Sequence, residues 1–302
     1  MRQTPEAGQK TELFESYRPL LFSIAYRMVG SVMEAEDIVQ EAYLRYEATP
    51  LDTIQSPKAF LSTVTTRLCL DHLKSARAQR ESYLGPWLPE PLLTDESTTA
   101  LVNKHEMISM AFLVLLENLS PLERAVFLLR EVFDYSYAEI AQIVEKSEAN
   151  CRQLYHRAKQ YLVQRRPRFA VVSSNQGKLI NEFLQAVQTG SLETLTQVLT
   201  EDVTLWPDGG GKVPAAPRPL VGRDRVVRLL LRGFRKLLLN LNIETVEING
   251  ALSLLLWAED KVICVVNFAG DGTRIGEIRS VWNPEKLQHL QDLNSKSASV
   301  SS

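Results

Sequence analysis

Cysteine is scarce: Cys69, Cys151 and Cys264 are the three in 302 residues, odd in number and far apart. That spacing excludes a disulfide framework and a thiolate metal site, and reads as three reduced thiols. Histidine is as thin, at four residues, and His156 has no second ligand near it in the sequence, so neither metal nor cofactor is expected. No apolar run approaches the roughly 20 residues of a membrane-spanning helix. The opening MRQTPEAGQKTELF lacks the apolar core of a signal peptide, which makes the cytoplasm the expected location. No internal repeat links the two halves. A net charge of −2 argues against a protein that coats DNA indiscriminately.

The charges that are present are sorted. Residues 31–47 hold Glu34, Glu36, Asp37, Glu41 and Glu47 against Arg45 alone. Residues 58–80 reverse the balance, with Lys58, Arg67, Lys74, Arg77 and Arg80 against Asp71, and residues 146–168 are basic apart from Glu148. One acidic and two basic segments imply two kinds of partner. The run DGGGK at 208–212 suggests a phosphate loop, but Trp206 and Val213 occupy positions that need Gly and Ser or Thr. Nucleotide binding is therefore not expected.

From 12 to 81 the apolar spacing is helical, with Ser31 and Glu34 placed as a capping box and Ser56-Pro57 opening the third helix. Residues 82–104 form a linker rich in Pro, Ser and Thr that carries WLPEP at 87–91. Helices resume at about 105. Ser120 with Glu123, Ser136 with Glu139, and Ser147 cap three in succession, and the last two make a helix-turn-helix whose second helix is basic. Its outward positions carry Asn150, Arg152, Gln153, His156, Arg157 and Lys159, side chains able to read base edges in a major groove. Lys159, Arg165 and Arg166 are expected on phosphate. On the acidic helix, Asp37, Gln40, Glu41 and Leu44 share one face, a stripe suited to an Arg-rich protein surface.

The segments AEDIVQEAYLRYE, TRLCLDHLKSARA and LSPLERAVFLLREVFDYSYAEIAQIVEKSEANCRQLYHRAKQYL together resemble sigma-70-type initiation factors of the extracytoplasmic-function (ECF) group. The resemblance covers 12–81 and 105–168. It implies that Asp37, Gln40, Glu41 and Leu44 hold core RNA polymerase. Ser56, Lys58, Arg67, Asp71 and Lys74 would meet the single-stranded −10 element of promoter DNA. Asn150, Arg152, Gln153, His156, Arg157 and Lys159 would read the −35 element.

Beyond 170 the grammar changes to two helices, a strand, the glycine loop, an Arg-rich helix at 223–238 and four strand-like runs separated by NG, ED and DG turns. Two all-α domains followed by an α+β domain are thus predicted, the last at 177–287 with a curved antiparallel sheet on helices. Its order resembles the SnoaL-like, NTF2-like cone fold, and a sigma subfamily combines that fold with WLPEP, DGGGK and an NPEKL-type tail. The likeness implies an interdomain regulatory set of Trp87, Leu88, Pro89, Glu90, Pro91, Asp208, Gly209, Gly210, Gly211, Lys212, Asn283 and Pro284. Trp87 and Leu88 would anchor the contact, and Lys212 would pair with Glu90 or Asp95. Residues 177–287 hold no His or Tyr, so no catalytic residue is assigned, and Asp202, Asp208, Asp224 and Glu259 read as solvated carboxylates. An unidentified small ligand has room in such a domain, and the fused module would make a separate anti-sigma factor unnecessary. Residues 288–302 are expected to be disordered. The rival reading is a stand-alone helix-turn-helix regulator with an effector-binding C-terminal domain; an enzyme of the polyketide-cyclase type ranks third.

Overall fold

Serine caps recur at the helix starts. In the computed structural model, which describes residues 5–81, 83–94, 108–165 and 175–291, Ser31, Ser120, Ser136 and Ser147 each accept a backbone N–H from three residues on. At Ser120 and Ser136 the glutamate at the third helical position reaches back, completing the expected boxes. The chain divides into two compact units, one of residues 1–81, 100–107 and 113–166, the other of 82–99, 108–112 and 167–302.

The first unit is all helical. α1 (Pro5–Val29), α2 (Val32–Ala48) and α3 (Pro57–Glu81) bury Leu21, Ile24, Ala35, Val39, Tyr46 and Leu61 between them. A short helix, α4 (Met110–Leu116), whose first residues belong to the second unit, leads to α5 (Pro121–Glu131), α6 (Tyr137–Val144) and α7 (Glu148–Gln164). The turn between α6 and α7 rests on Glu145 in the left-handed region, φ 54°. Cys151, Leu154, Tyr155, Ala158 and Leu162 turn inward from α7, so its cationic residues must face out.

The second unit sets α8 (Gln176–Thr189), α9 (Leu192–Val198), α10 (Arg223–Leu229) and α11 (Arg235–Leu238) on a six-stranded sheet. The strands are β1 (Leu199–Asp208), β2 (Leu220–Val221), β3 (Asn242–Ile248), β4 (Ala251–Ala258), β5 (Lys261–Gly270) and β6 (Ile275–Val281). Their spatial order is β2-β1-β6-β5-β4-β3. The sheet is mixed, not antiparallel throughout as expected, because β1 pairs with β6 in parallel. Successive hairpins from β3 to β6 fix the direction of β6. β1 joins that edge only after the whole intervening chain, the long connection that parallel neighbours require. The expected helix at 223–238 is broken by a π turn at Leu230–Phe234, which lets Phe234 stack on Trp282 at 5.3 Å. A 3-10 segment at Pro284–Leu290 occupies part of the tail read as disordered; residues 292–302 lie outside the described residues.

Candidate functional site

Burial sorts the α2 stripe. Ala35, Ile38, Val39, Ala42 and Tyr46 are inside, whereas Asp37, Gln40 and Leu44 are exposed, Leu44 by 55%. Glu41, half-buried, is held by Arg45 at 2.9 Å. Met33, 44% exposed, continues the face one turn earlier and escaped the sequence reading, because a lone methionine at a helix start carries no pattern.

On α7, Asn150, Arg152, Gln153, His156, Arg157 and Lys159 are all exposed. Arg152 bonds Glu148 at 2.6 Å and lies 5.1 Å from the centre of the Tyr137 ring. Lys159 donates to the Tyr155 hydroxyl at 2.9 Å, the first cause of its raised pKa. Arg165 is exposed at the end of α7; Arg166 lies outside the described residues. The five residues assigned to the −10 strand do not form one open surface. Ser56 caps α3 through the Ala59 N–H and Asp71 pairs with Lys74 at 2.9 Å. Lys58 sits 5.5 Å from the Tyr135 ring, and Arg67 is bonded to α6.

In the second unit the interdomain residues converge on Asp208. It is fully buried, 0% exposed, which overturns its reading as a solvated carboxylate; a carboxylate survives burial when donors replace its water. Tyr83 donates to Oδ1 at 2.5 Å, and the Leu88 N–H and the Lys286 ammonium donate to Oδ2 at 2.8 and 2.7 Å. Lys286 also donates to the Leu88 carbonyl and lies 4.3 Å from the Trp87 ring centre. The Asp208 carbonyl accepts from the Trp282 and Asn283 N–H groups. One side chain thereby ties together WLPEP, DGGGK and NPEKL. Leu88 is the buried anchor, at 0% exposure, and Trp87 instead covers the cation.

The glycines explain themselves here. Gly210 and Gly211 have φ +58° and +72°. A methyl on Gly210 would overlap the Asn283 amide and meet the Tyr83 hydroxyl, and one on Gly211 would lie 2.8 Å from Leu84. Linker and loop thus touch backbone to side chain. Lys212 pairs at 2.8 Å with Glu285, not with Glu90, which is buried; Asp95 lies outside the described residues. Further along, the Leu92 N–H donates to Asn249 Oδ1, Asn249 donates to the Ile108 carbonyl, and His289 Nε2 meets the Pro91 carbonyl at 2.7 Å. Tyr83, Asn249 and Lys286 are the residues that motif reading missed. Lys286 stood inside NPEKL, and Asn249 looked like an ordinary hairpin turn.

Residues 13–79 match the family Sigma-70 region 2, and 109–162 match Sigma-70, region 4. The chain is 41% identical over 225 residues to ECF RNA polymerase sigma factor SigJ of Mycobacterium tuberculosis, covering 72% of this chain and 71% of that protein. It belongs to the ECF RNA polymerase sigma factors. This sigma factor is also 34% identical over 223 residues to probable ECF RNA polymerase sigma factor SigI of the same species, covering 72% of this chain and 75% of that one. The crystal structure of M. tuberculosis SigJ superposes with a TM-score of 0.74 at 32% identity, over 92% of this chain and 98% of that one. Helical sigma domains followed by an α+β sheet domain, compatible with the SnoaL-like fold, are therefore the architecture of this sigma factor, and promoter DNA and core RNA polymerase are its partners.

Proposed function

We propose that this sigma factor divides initiation among the surfaces just described and that its C-terminal domain regulates it through the linker. The exposed α2 stripe docks on core polymerase, α3 with the turn before it captures the melted −10 strand, and the outward residues of α7 read −35. The supporting observation is the buried Asp208, which fastens the linker between the two sigma regions to a domain more than a hundred residues further on. A linker so fastened restricts how far the −10 and −35 readers can be placed from each other, without a separate anti-sigma factor and without covalent chemistry. Regulation by linker docking is favoured over a ligand in the sheet cavity. That cavity, lined by Phe183, Leu205, Phe234, Leu254 and Trp282, holds about 50 Å³, whereas a cavity known to accept benzene holds roughly 150 Å³.

Run-off transcription with core polymerase tests the reading. Asp208→Asn and Gly210→Val should both change promoter output while leaving the circular dichroism of the helical domains intact. Unchanged output from both would remove the regulatory role and leave the sigma assignment standing.

A further inference from the structure

Two cations of the Arg-rich segment serve the fold. Arg223 donates to the Thr196 and Leu199 carbonyls at 3.0 and 3.4 Å, and Arg235 holds the Gln188 and Thr189 carbonyls at the end of α8. The other four have no such use. Arg225, Arg228, Arg232 and Lys236 are exposed and make no hydrogen bond or ion pair among the described residues. Asp224, the one carboxylate between 209 and 243, is not bonded to them. Steps of three, four and four line these cations up opposite the buried Val226, Val227, Leu230 and Leu238. The π turn at Leu230–Phe234 takes up the excess of the longer steps over the α-helical period.

Like charges four apart weaken a helix, so this stripe works against the domain that carries it. Beside Lys236 the segment also exposes Leu237 and Leu239, by 38% and 60%. Phosphate backbone would satisfy the cations and leave the leucines in water; an acidic, partly apolar protein surface satisfies both. Such a surface exists on α2. Met33, Asp37, Gln40 and Leu44 are exposed there, Asp37 carries no ion pair, and Glu34, Glu36, Asp37, Glu41 and Glu47 outnumber Arg45. Met33 to Leu44 and Arg225 to Lys236 each span eleven positions, about 16 Å of helix. Leucine stands at the C-terminal end of both rows. Asp37 and the four cations are unpaired within one molecule, which leaves a second copy to join them.

We propose that the cationic face of α10 and α11 on one molecule covers the α2 stripe of a second copy of the chain. Two such contacts made reciprocally close a dimer. The self-association stands without the assignment of α2 to core polymerase. Its consequence, a factor that hides its own docking surface as its concentration rises, rests on that assignment.

Sedimentation velocity on the full chain tests this. At about 50 mM salt the mean mass should climb from the monomer's 34.1 kDa toward a dimer between about 5 and 200 µM, and fall back at about 500 mM salt. A monomer throughout overturns the proposal, as does association that salt leaves unchanged. Charge exchange identifies the faces. Arg228→Glu with Arg232→Glu, and Asp37→Lys with Glu41→Lys, should each weaken self-association about tenfold or more. An equimolar mixture of the two variants should associate at least as well as wild type, because their reversed stripes complement each other. A mixture that stays monomeric overturns the pairing, and so does either variant associating like wild type. Polymerase pull-down separates the premises: intact binding by Asp37→Lys with Glu41→Lys, beside lost self-association, removes α2 from polymerase docking and leaves the self-association standing.

Discussion

At the scale of single residues, Asp208 shows what sequence can and cannot disclose. Its motif was visible as DGGGK, and the glycines correctly pointed to close backbone approach. Its burial was not, because the donors that replace its water come from Tyr83, Leu88 and Lys286, each distant in sequence. Asp208→Asn keeps the shape but leaves Lys286 buried without its counter-ion, a change that costs about 3–5 kcal/mol in comparable sites. Hydrogen exchange at the Leu88 and Leu92 amides should accelerate by at least a hundredfold; protection equal to wild type would show that the carboxylate is not the fastening. Tyr83 adds a pH dependence. Burial first, and the Asp208 charge second, hold its hydroxyl above the ordinary value of 10.0. The docked linker keeps this proton where a free one would lose it, so docking is undiminished below pH 10 and weakens as pH rises beyond. In Tyr83→Phe the linker should be looser at neutral pH and lose that alkaline dependence, as read by Trp87 fluorescence between pH 8 and 11.

Elements were the most legible level. Serine caps set the starts of α2, α5, α6 and α7, with returning glutamates at α5 and α6, since capping is local chemistry that a sequence states outright. The NG turn gave the β3–β4 hairpin for the same reason. What stayed hidden depends on tertiary partners: the π turn at Leu230–Phe234, which serves the stacking of Phe234 on Trp282, and the parallel pairing of β1 with β6. The α2 face belongs to the scale of elements, because Asp37, Gln40 and Leu44 are exposed along one side of a single helix. Asp37→Lys with Glu41→Lys should weaken binding to core polymerase at least tenfold, more at low salt than at high, since steering by exposed charge is screened. Leu44→Ser should weaken it with little salt dependence. Polymerase pull-down across an ionic-strength series distinguishes the two, and intact binding by the charge-reversed variant would exclude the stripe.

For the whole molecule, composition set the bounds and little else: a net charge of −2 is the sum of surfaces that oppose one another. The order of segments matters more. The second unit takes in residues 82–99 and 108–112 as well as everything from 167 onward. A protein cut after residue 170 therefore loses Asp208, Asn249 and Lys286 and strands Leu88 without its seat. Limited proteolysis should cleave residues 83–94 at least tenfold faster in the shortened protein than in the intact one; equal rates would mean the linker has another resting place. The same arrangement bears on how the factor is born. Leu88 leaves the ribosome 120 residues ahead of Asp208 and 198 ahead of Lys286. At about 5–20 residues per second, the helices of the first unit are complete for several seconds before the Asp208–Lys286 clasp exists, so each new molecule passes through an interval with its linker unfastened.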